Sequence, residues 1–93
     1  MTLSDRSELD EFLATHPGWD LENAALVKTF QFADFAAAMS FVTRLAFAAE
    51  KADHHPDIDI RWNRVRLAWS THSAGGVTGA DLELAAVSDQ VSG

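Results

Sequence analysis

Behind Asp34, apolar residues recur as Phe35, Ala38, Met39, Val42, Leu45, Ala46 and Ala49, the i, i+3, i+4, i+7 spacing of one continuous helical stripe. Asp34 is placed to cap the start of this helix. Pro56 lacks an N–H and disfavours helical geometry in the residue before it, so the expected end is at about His55. Phe41 and Phe47 lie well off the stripe on either side, which leaves a narrow polar face around Ser40, Arg44 and Lys51. A helix this apolar needs two neighbours, one a sheet and the other a second subunit, so Phe41 and Phe47 predict a homo-oligomer.

The rest of the chain alternates short helices with strand pairs. Ser4 is placed to cap a first helix carrying Leu9, Phe12 and Leu13, which Pro17 and Gly18 end. Residues 19–21 and 26–32 suit extended chain around a turn at Glu22, Asn23 and Ala24, with Phe30 and Phe32 on one side of the second run. After Pro56, Ile58, Ile60 and Trp62 alternate with Asp57, Asp59 and Arg61, and Val65, Leu67 and Trp69 alternate with Arg66, Ala68 and Ser70. A two-residue turn at Asn63 and Arg64 pairs 62 with 65, 60 with 67 and 58 with 69, placing all six large side chains on one face. The opposite face ends at His72. Residues 73–76 read as a flexible connection, and Thr78 with Asp81 forms a capping-box start to a last helix carrying Leu84, Val87 and Val91. The order helix, hairpin, helix, hairpin, helix predicts one α+β domain over residues 1–93, with three helices on one face of a four-stranded antiparallel sheet.

A chain of 93 residues can build one core but not a spacious cavity, so a sizeable site must be shallow or shared between subunits. The formal net charge of −7, with only 7 Lys and Arg, argues against direct nucleic-acid binding, which needs clustered cations. Zero cysteines remove disulfides, thiolate zinc sites and cysteine nucleophiles, and fit a reducing compartment. No apolar run approaches the length of a membrane span, and the N-terminal residues lack the order of a secretory signal. A soluble cytoplasmic protein is the expectation.

Four histidines are present, and His54, His55 and His72 fall at element ends rather than within apolar stripes; His16 reads as a surface residue. Histidine is the side chain suited to giving and taking protons near neutrality. Taken alone, His54 and His55 before Pro56 are explained as a solvated helix end. A zinc site built from the three imidazoles with Asp53 or Asp81 lacks any His-x-x-x-His or Glu-x-x-His spacing, and no metal is assigned. Capping alone explains Asp81. Trp19, Trp62 and Trp69 read as core.

Ala49, Glu50 and Lys51 before His54, His55 and Pro56, then Ser70, Thr71 and His72, then Asp81, Leu82, Glu83, Leu84 and Ala85, together resemble the pterin-4a-carbinolamine dehydratase family. The likeness extends from about Gly18 and Trp19, through residues 30–35, to the last helix. It implies a homodimer or homotetramer of small α+β subunits that dehydrate 4a-hydroxytetrahydropterin to quinonoid dihydropterin. It implies no metal or redox cofactor, the pterin being the substrate, and a functional link to an aromatic amino acid hydroxylase. By the same likeness His54 and His72 are the acid and base, and His55, grouped with them, helps hold the pterin. Asp81 orients an imidazole or the substrate, and Glu50, Ser70, Thr71 and Asp53 complete the substrate-binding set. Ile58 stands where many animal members carry an aromatic, and Asp59, Arg61 and Arg64 make the second hairpin more charged. The animal enzyme also serves as dimerisation cofactor of a homeodomain transcription factor, a role whose interface is not recognisable in this sequence; the alternative, motivated by the apolar second face of the main helix, is a pterin-binding or protein-interaction scaffold without useful turnover.

Overall fold

The computed structural model describes residues 2–93. The chain runs α1 (Arg6–Thr15), β1 (Asp20–Glu22), β2 (Ala25–Gln31), α2 (Phe35–Ala52), β3 (Asp57–Arg61), β4 (Arg64–Trp69), a 3-10 turn (His72–Ala74) and α3 (Gly79–Ser92). The strands form one antiparallel sheet in the order β1-β2-β4-β3, so the two hairpins join through β2 and β4 and β3 is left at an edge. Leu26 and Phe30 of β2 and Val65, Leu67 and Trp69 of β4 share one core with Phe12 of α1, Phe41 and Leu45 of α2, and Leu84 and Ala85 of α3. That is the α+β arrangement read from the sequence, with the three helices on one face of the sheet.

Local chemistry sets the helix starts. Asp5, not Ser4, caps α1, accepting from the Glu8 N–H at 2.9 Å while the Glu8 carboxylate accepts from the Asp5 N–H at 3.0 Å. Ser4 instead donates its backbone N–H to Val77 O. Asp34 caps α2 as expected, accepting from the Ala37 N–H at 2.8 Å, and the Thr78 and Asp81 capping box opens α3.

Helix α2 ends at Ala52, earlier than proline alone dictates. Asp53 takes the left-handed conformation (φ 51°, ψ 43°) and donates to Ala49 O and Glu50 O, while His54 N–H donates to Ala49 O. This closing motif satisfies the last carbonyls and turns the chain before Pro56 is reached.

The buried face of α2 is rotated from the expected stripe toward Phe41, which is fully buried against Phe30 and Phe32 at ring separations of 4.9 and 5.0 Å. Phe41, expected to face a second subunit, therefore belongs to the core of the chain itself. The unpartnered apolar surface is formed by Phe35, Met39 and Phe47, the last 74% exposed.

The second hairpin is shifted two residues from the expected register. Arg61 pairs with Arg64, Ile60 with Val65 and Ile58 with Leu67, so the turn is Trp62 and Asn63. A two-residue shift keeps each side chain on its own face, so Val65, Leu67 and Trp69 stay in the core with Ile60 packed at its margin, while Ile58, expected on the same face, is 41% exposed on the edge strand. Asn63 decides the register: its Nδ2 donates to Phe32 O at 2.8 Å and its carbonyl accepts from the Phe32 N–H at 2.9 Å, tying the turn to the end of β2. Trp62 is thereby forced to positive φ and left 70% exposed, so it is not a core residue.

Candidate active site

Three elements deliver the candidate residues to one end of the sheet: the end of α2, the chain beyond β4, and the first turn of α3. Asp81 is their hub. Its carboxylate is fully buried, and Oδ2 accepts from the Thr78 N–H at 2.9 Å, as the capping box requires, and from the Thr71 hydroxyl at 2.8 Å. Thr78 Oγ1 lies 2.9 Å from Thr71 Oγ1 and completes the buried hydroxyl pair. Oδ1 remains for His54, whose Nε2 donates to it at 2.5 Å. A buried carboxylate is tolerated only when its lone pairs are met in this way. Capping and orienting an imidazole are thus two jobs of the same side chain.

His54 reaches Asp81 because the left-handed Asp53 redirects the chain out of α2. Its side chain is only 14% exposed, and its ring lies over the buried indole of Trp69 at 5.8 Å between centroids and an interplanar angle of 23°. His55, next in sequence, has a different partner: Nε2 lies 2.6 Å from Glu50 Oε1 in an exposed pair. The two adjacent imidazoles therefore form two separate histidine–carboxylate pairs, one buried and one facing solvent.

Thr71 carries the third imidazole to the same end. The chain beyond β4 is not slack: Thr71 N–H donates to Gly76 O at 2.8 Å, and Gly75 N–H donates to Thr71 O and His72 O. Gly75 adopts φ 79°, the left-handed conformation that glycine takes freely. Residues 73–76, expected to be flexible, are thus a hydrogen-bonded turn that presents the exposed His72 directly after the Asp81-bound Thr71. Ser70 is half-buried between Trp69 and Thr71, and Asp53 is exposed and serves the backbone turn.

A hollow of about 240 Å³ opens between α2 and the edge strand β3, lined by Ala46, Ala49, Glu50, His55, Pro56 and Ile58. It is apolar with one polar rim, the His55–Glu50 pair, and neither His54 nor His72 lines it. His16 lies away from this end, half-buried and stacked on Phe12 at 4.0 Å. Trp69, Thr78 and Ser88 were not among the candidates read from the sequence. Thr78 was legible as a cap but not as a partner of Thr71. Ser88, a fully buried hydroxyl seven residues after Asp81 on the same face of α3, was the signal available for a second polar contact inside the core.

Residues 2–91 match the family described as pterin 4 alpha carbinolamine dehydratase. A protein of Chloroflexus aurantiacus provisionally named pterin-4-alpha-carbinolamine dehydratase is 58% identical over 87 residues, 94% of each chain. A Chloroflexus aggregans protein of the same name is 53% identical over the full length of both. Among solved structures, one described as a transcriptional coactivator/pterin dehydratase from Brucella melitensis superposes with a TM-score of 0.94 at 35% identity, covering 99% of this chain and 100% of that one. A pterin dehydratase-like protein described as a RuBisCO assembly factor in the alpha-carboxysome gives a TM-score of 0.70 at 25% identity, covering 84% of this chain and 93% of that one.

Proposed function

We propose that this chain, which belongs to the pterin 4 alpha carbinolamine dehydratase family, dehydrates 4a-hydroxytetrahydropterin to quinonoid dihydropterin through its own imidazoles. The observation that carries this reading is the buried His54–Asp81 pair, linked through Thr71 to the next residue, His72. Loss of water from the carbinolamine needs one proton delivered to the departing hydroxyl and one removed from the neighbouring ring nitrogen. A C=N bond forms as the C–O bond breaks, and no electrons enter or leave, so no redox cofactor is called for. Two imidazoles on different elements match that demand.

The Asp81 carboxylate has only lone pairs to offer, so Nε2 of His54 carries the proton and Nδ1 is the nitrogen left to exchange one with the pterin. His72, exposed at the end of the same network, is its counterpart. Which of the two acts first as acid follows the ring face that bears the hydroxyl. His55, steadied by Glu50, holds the pterin, and Ser70 and Asp53 border it. The same reading carries a homodimer or homotetramer covering the exposed face of α2, a cytoplasmic location, and supply of substrate by an aromatic amino acid hydroxylase.

The decisive assay generates 4a-hydroxytetrahydropterin with a hydroxylase and follows its decay. Acceleration by this protein is expected, with a bell-shaped pH dependence of turnover. Decay no faster than without it ends the enzyme reading. A second reading, a pterin-binding or interaction scaffold, draws on the exposed apolar face of α2 and on the assembly-factor and coactivator descriptions of the two similar structures. Tight pterin binding with negligible turnover at every pH selects it.

A further inference from the structure

The contact beneath His54 is built more elaborately than packing requires. Trp69 is fully buried, and its Nε1 donates to Ser88 Oγ at 3.0 Å. The Ser88 hydroxyl donates its own proton to Leu84 O at 2.7 Å, so its lone pair is fixed toward the indole. An aliphatic side chain fills such a space with no polar group to satisfy, whereas a buried indole N–H needs an acceptor. Here the acceptor is supplied from within the buried face of α3.

Helix α3 thus reaches His54 twice. Asp81 holds the imidazole edge through Nε2, and Ser88, seven residues on and on the same helix face, holds the indole over which the imidazole plane lies. A single hydrogen bond at Nε2 leaves a ring free to swing about the N···O direction. Stacking on a fixed plane removes that freedom, and the direction of Nδ1 becomes determined. A neighbouring side-chain contact reinforces the arrangement: Trp69 bonds to Ser88 and Thr71, two residues on, bonds to Asp81, so the end of β4 is tied twice to α3.

We propose that Trp69, locked in plane by Ser88, is a positioning residue that aims Nδ1 of His54. The kinetic consequence rests on the dehydratase reading given above; the structural consequence does not. Misplacement of a proton-transfer group by about 1 Å is enough to lower turnover by roughly 10²-fold, so the pair acts on kcat and not on KM.

The test uses the full chain with Trp69→Phe, Trp69→Leu, Ser88→Ala and Ser88→Thr. It measures kcat and KM for 4a-hydroxytetrahydropterin, melting temperature, and the His54 ring proton and nitrogen NMR signals, assigned against His54→Gln. Trp69→Leu removes the stacked ring and is expected to lower kcat by roughly 10-fold to 10²-fold with KM little changed, and to erase the ring-current displacement of the His54 protons. Ser88→Ala leaves the indole unpaired and is expected to lower kcat several-fold and move the same signals, and Ser88→Thr, which keeps the hydroxyl, is expected to restore both. The inference is overturned if folded Ser88→Ala and Trp69→Phe keep wild-type kcat and unmoved His54 signals while only the melting temperature falls, or if KM alone changes. Should Trp69→Leu fail to fold, the serine pair still decides. Absence of turnover in the wild-type protein sinks the dehydratase reading alone, because the His54 signals still report on the positioning.

Discussion

Asp81 and His54 stand 27 residues apart in the chain and meet at 2.5 Å inside the protein, with the carboxylate wholly removed from solvent. The contact joins the start of one helix to the end of another, so whatever fixes the first turn of α3 also fixes the imidazole. Thr78 N–H and the Thr71 hydroxyl hold Oδ2 and leave Oδ1 as the only free oxygen. The geometry of the site is therefore inherited from a helix cap.

Asp81→Asn separates the two jobs. An amide retains the volume and one acceptor, but it cannot meet the imidazole, the hydroxyl and the cap N–H as two carboxylate oxygens do. We expect turnover to fall by roughly 10²-fold or more, because an amide no longer fixes the tautomer and orientation of the imidazole, with a smaller change in melting temperature than Asp81→Ala. The alanine variant removes both carboxylate acceptors from a buried network, at about 1–3 kcal/mol for a buried donor that finds no replacement. Thermal melts beside single-turnover rates check the ordering; equal losses of activity and stability in both variants contradict it.

His54→Ala and His72→Ala are each expected to lower kcat by on the order of 10²-fold or more, since on the proposed mechanism each removes a proton-transfer group. His55→Ala is expected to act mainly on KM, because its pair with Glu50 lies on the exposed side and borders the apolar hollow. Steady-state kinetics on the three variants distinguish the roles, and a His72→Ala enzyme with wild-type kcat removes that residue from the chemistry.

The element order and the inward face of β2 and β4 were legible because both follow from period: 3.6 for the helices, 2 for the strands. The Thr78 and Asp81 cap was legible as a local motif. What escaped were features set by contacts distant in sequence. The hairpin register follows from Asn63 bonding to Phe32, 31 residues away, and the burial of Phe41 follows from the rings of Phe30 and Phe32. The split of His54 from His55 depends on a left-handed Asp53, a conformation that nothing in local composition demands. The three histidines were visible as candidates, but the split of His54 and His55 into a buried and an exposed histidine–carboxylate pair required the fold.

Asn63→Ala tests the register argument. The side chain is buried and its amide is bonded to Phe32 O, so truncation leaves a carbonyl unpaired in the turn and loosens the choice between the observed and the expected pairing. A loss of about 1–3 kcal/mol is expected, which lowers the melting temperature by roughly 4–8 °C per kcal/mol in a domain of this size. Amide exchange in β3 is expected to quicken more than in β2; a uniform change along the sheet argues that Asn63 contributes only general stability.

Phe47→Glu addresses the assembly. Phe47 is 74% exposed, and together with Phe35 and Met39 it makes α2 apolar on a side that its own subunit does not cover, a surface that monomers rarely leave open. A charge introduced there has no buried neighbour to disturb within the subunit, so circular dichroism is expected to be unchanged. Across a packed interface the same charge must be desolvated without a partner, at several kcal/mol. In a symmetric assembly it is introduced once per subunit, so the effect is repeated at each related contact. Sedimentation is therefore expected to show an oligomer for the wild-type protein and a shift toward smaller species for the variant. The hollow beside Ala46, His55 and Ile58 lies next to this face of α2, so dissociation that also raises KM would mean that a neighbouring subunit completes the pterin site. Dissociation with kinetics unchanged would assign the whole site to one subunit. A wild-type protein that sediments as a monomer would leave Phe47 without the partner argued for it.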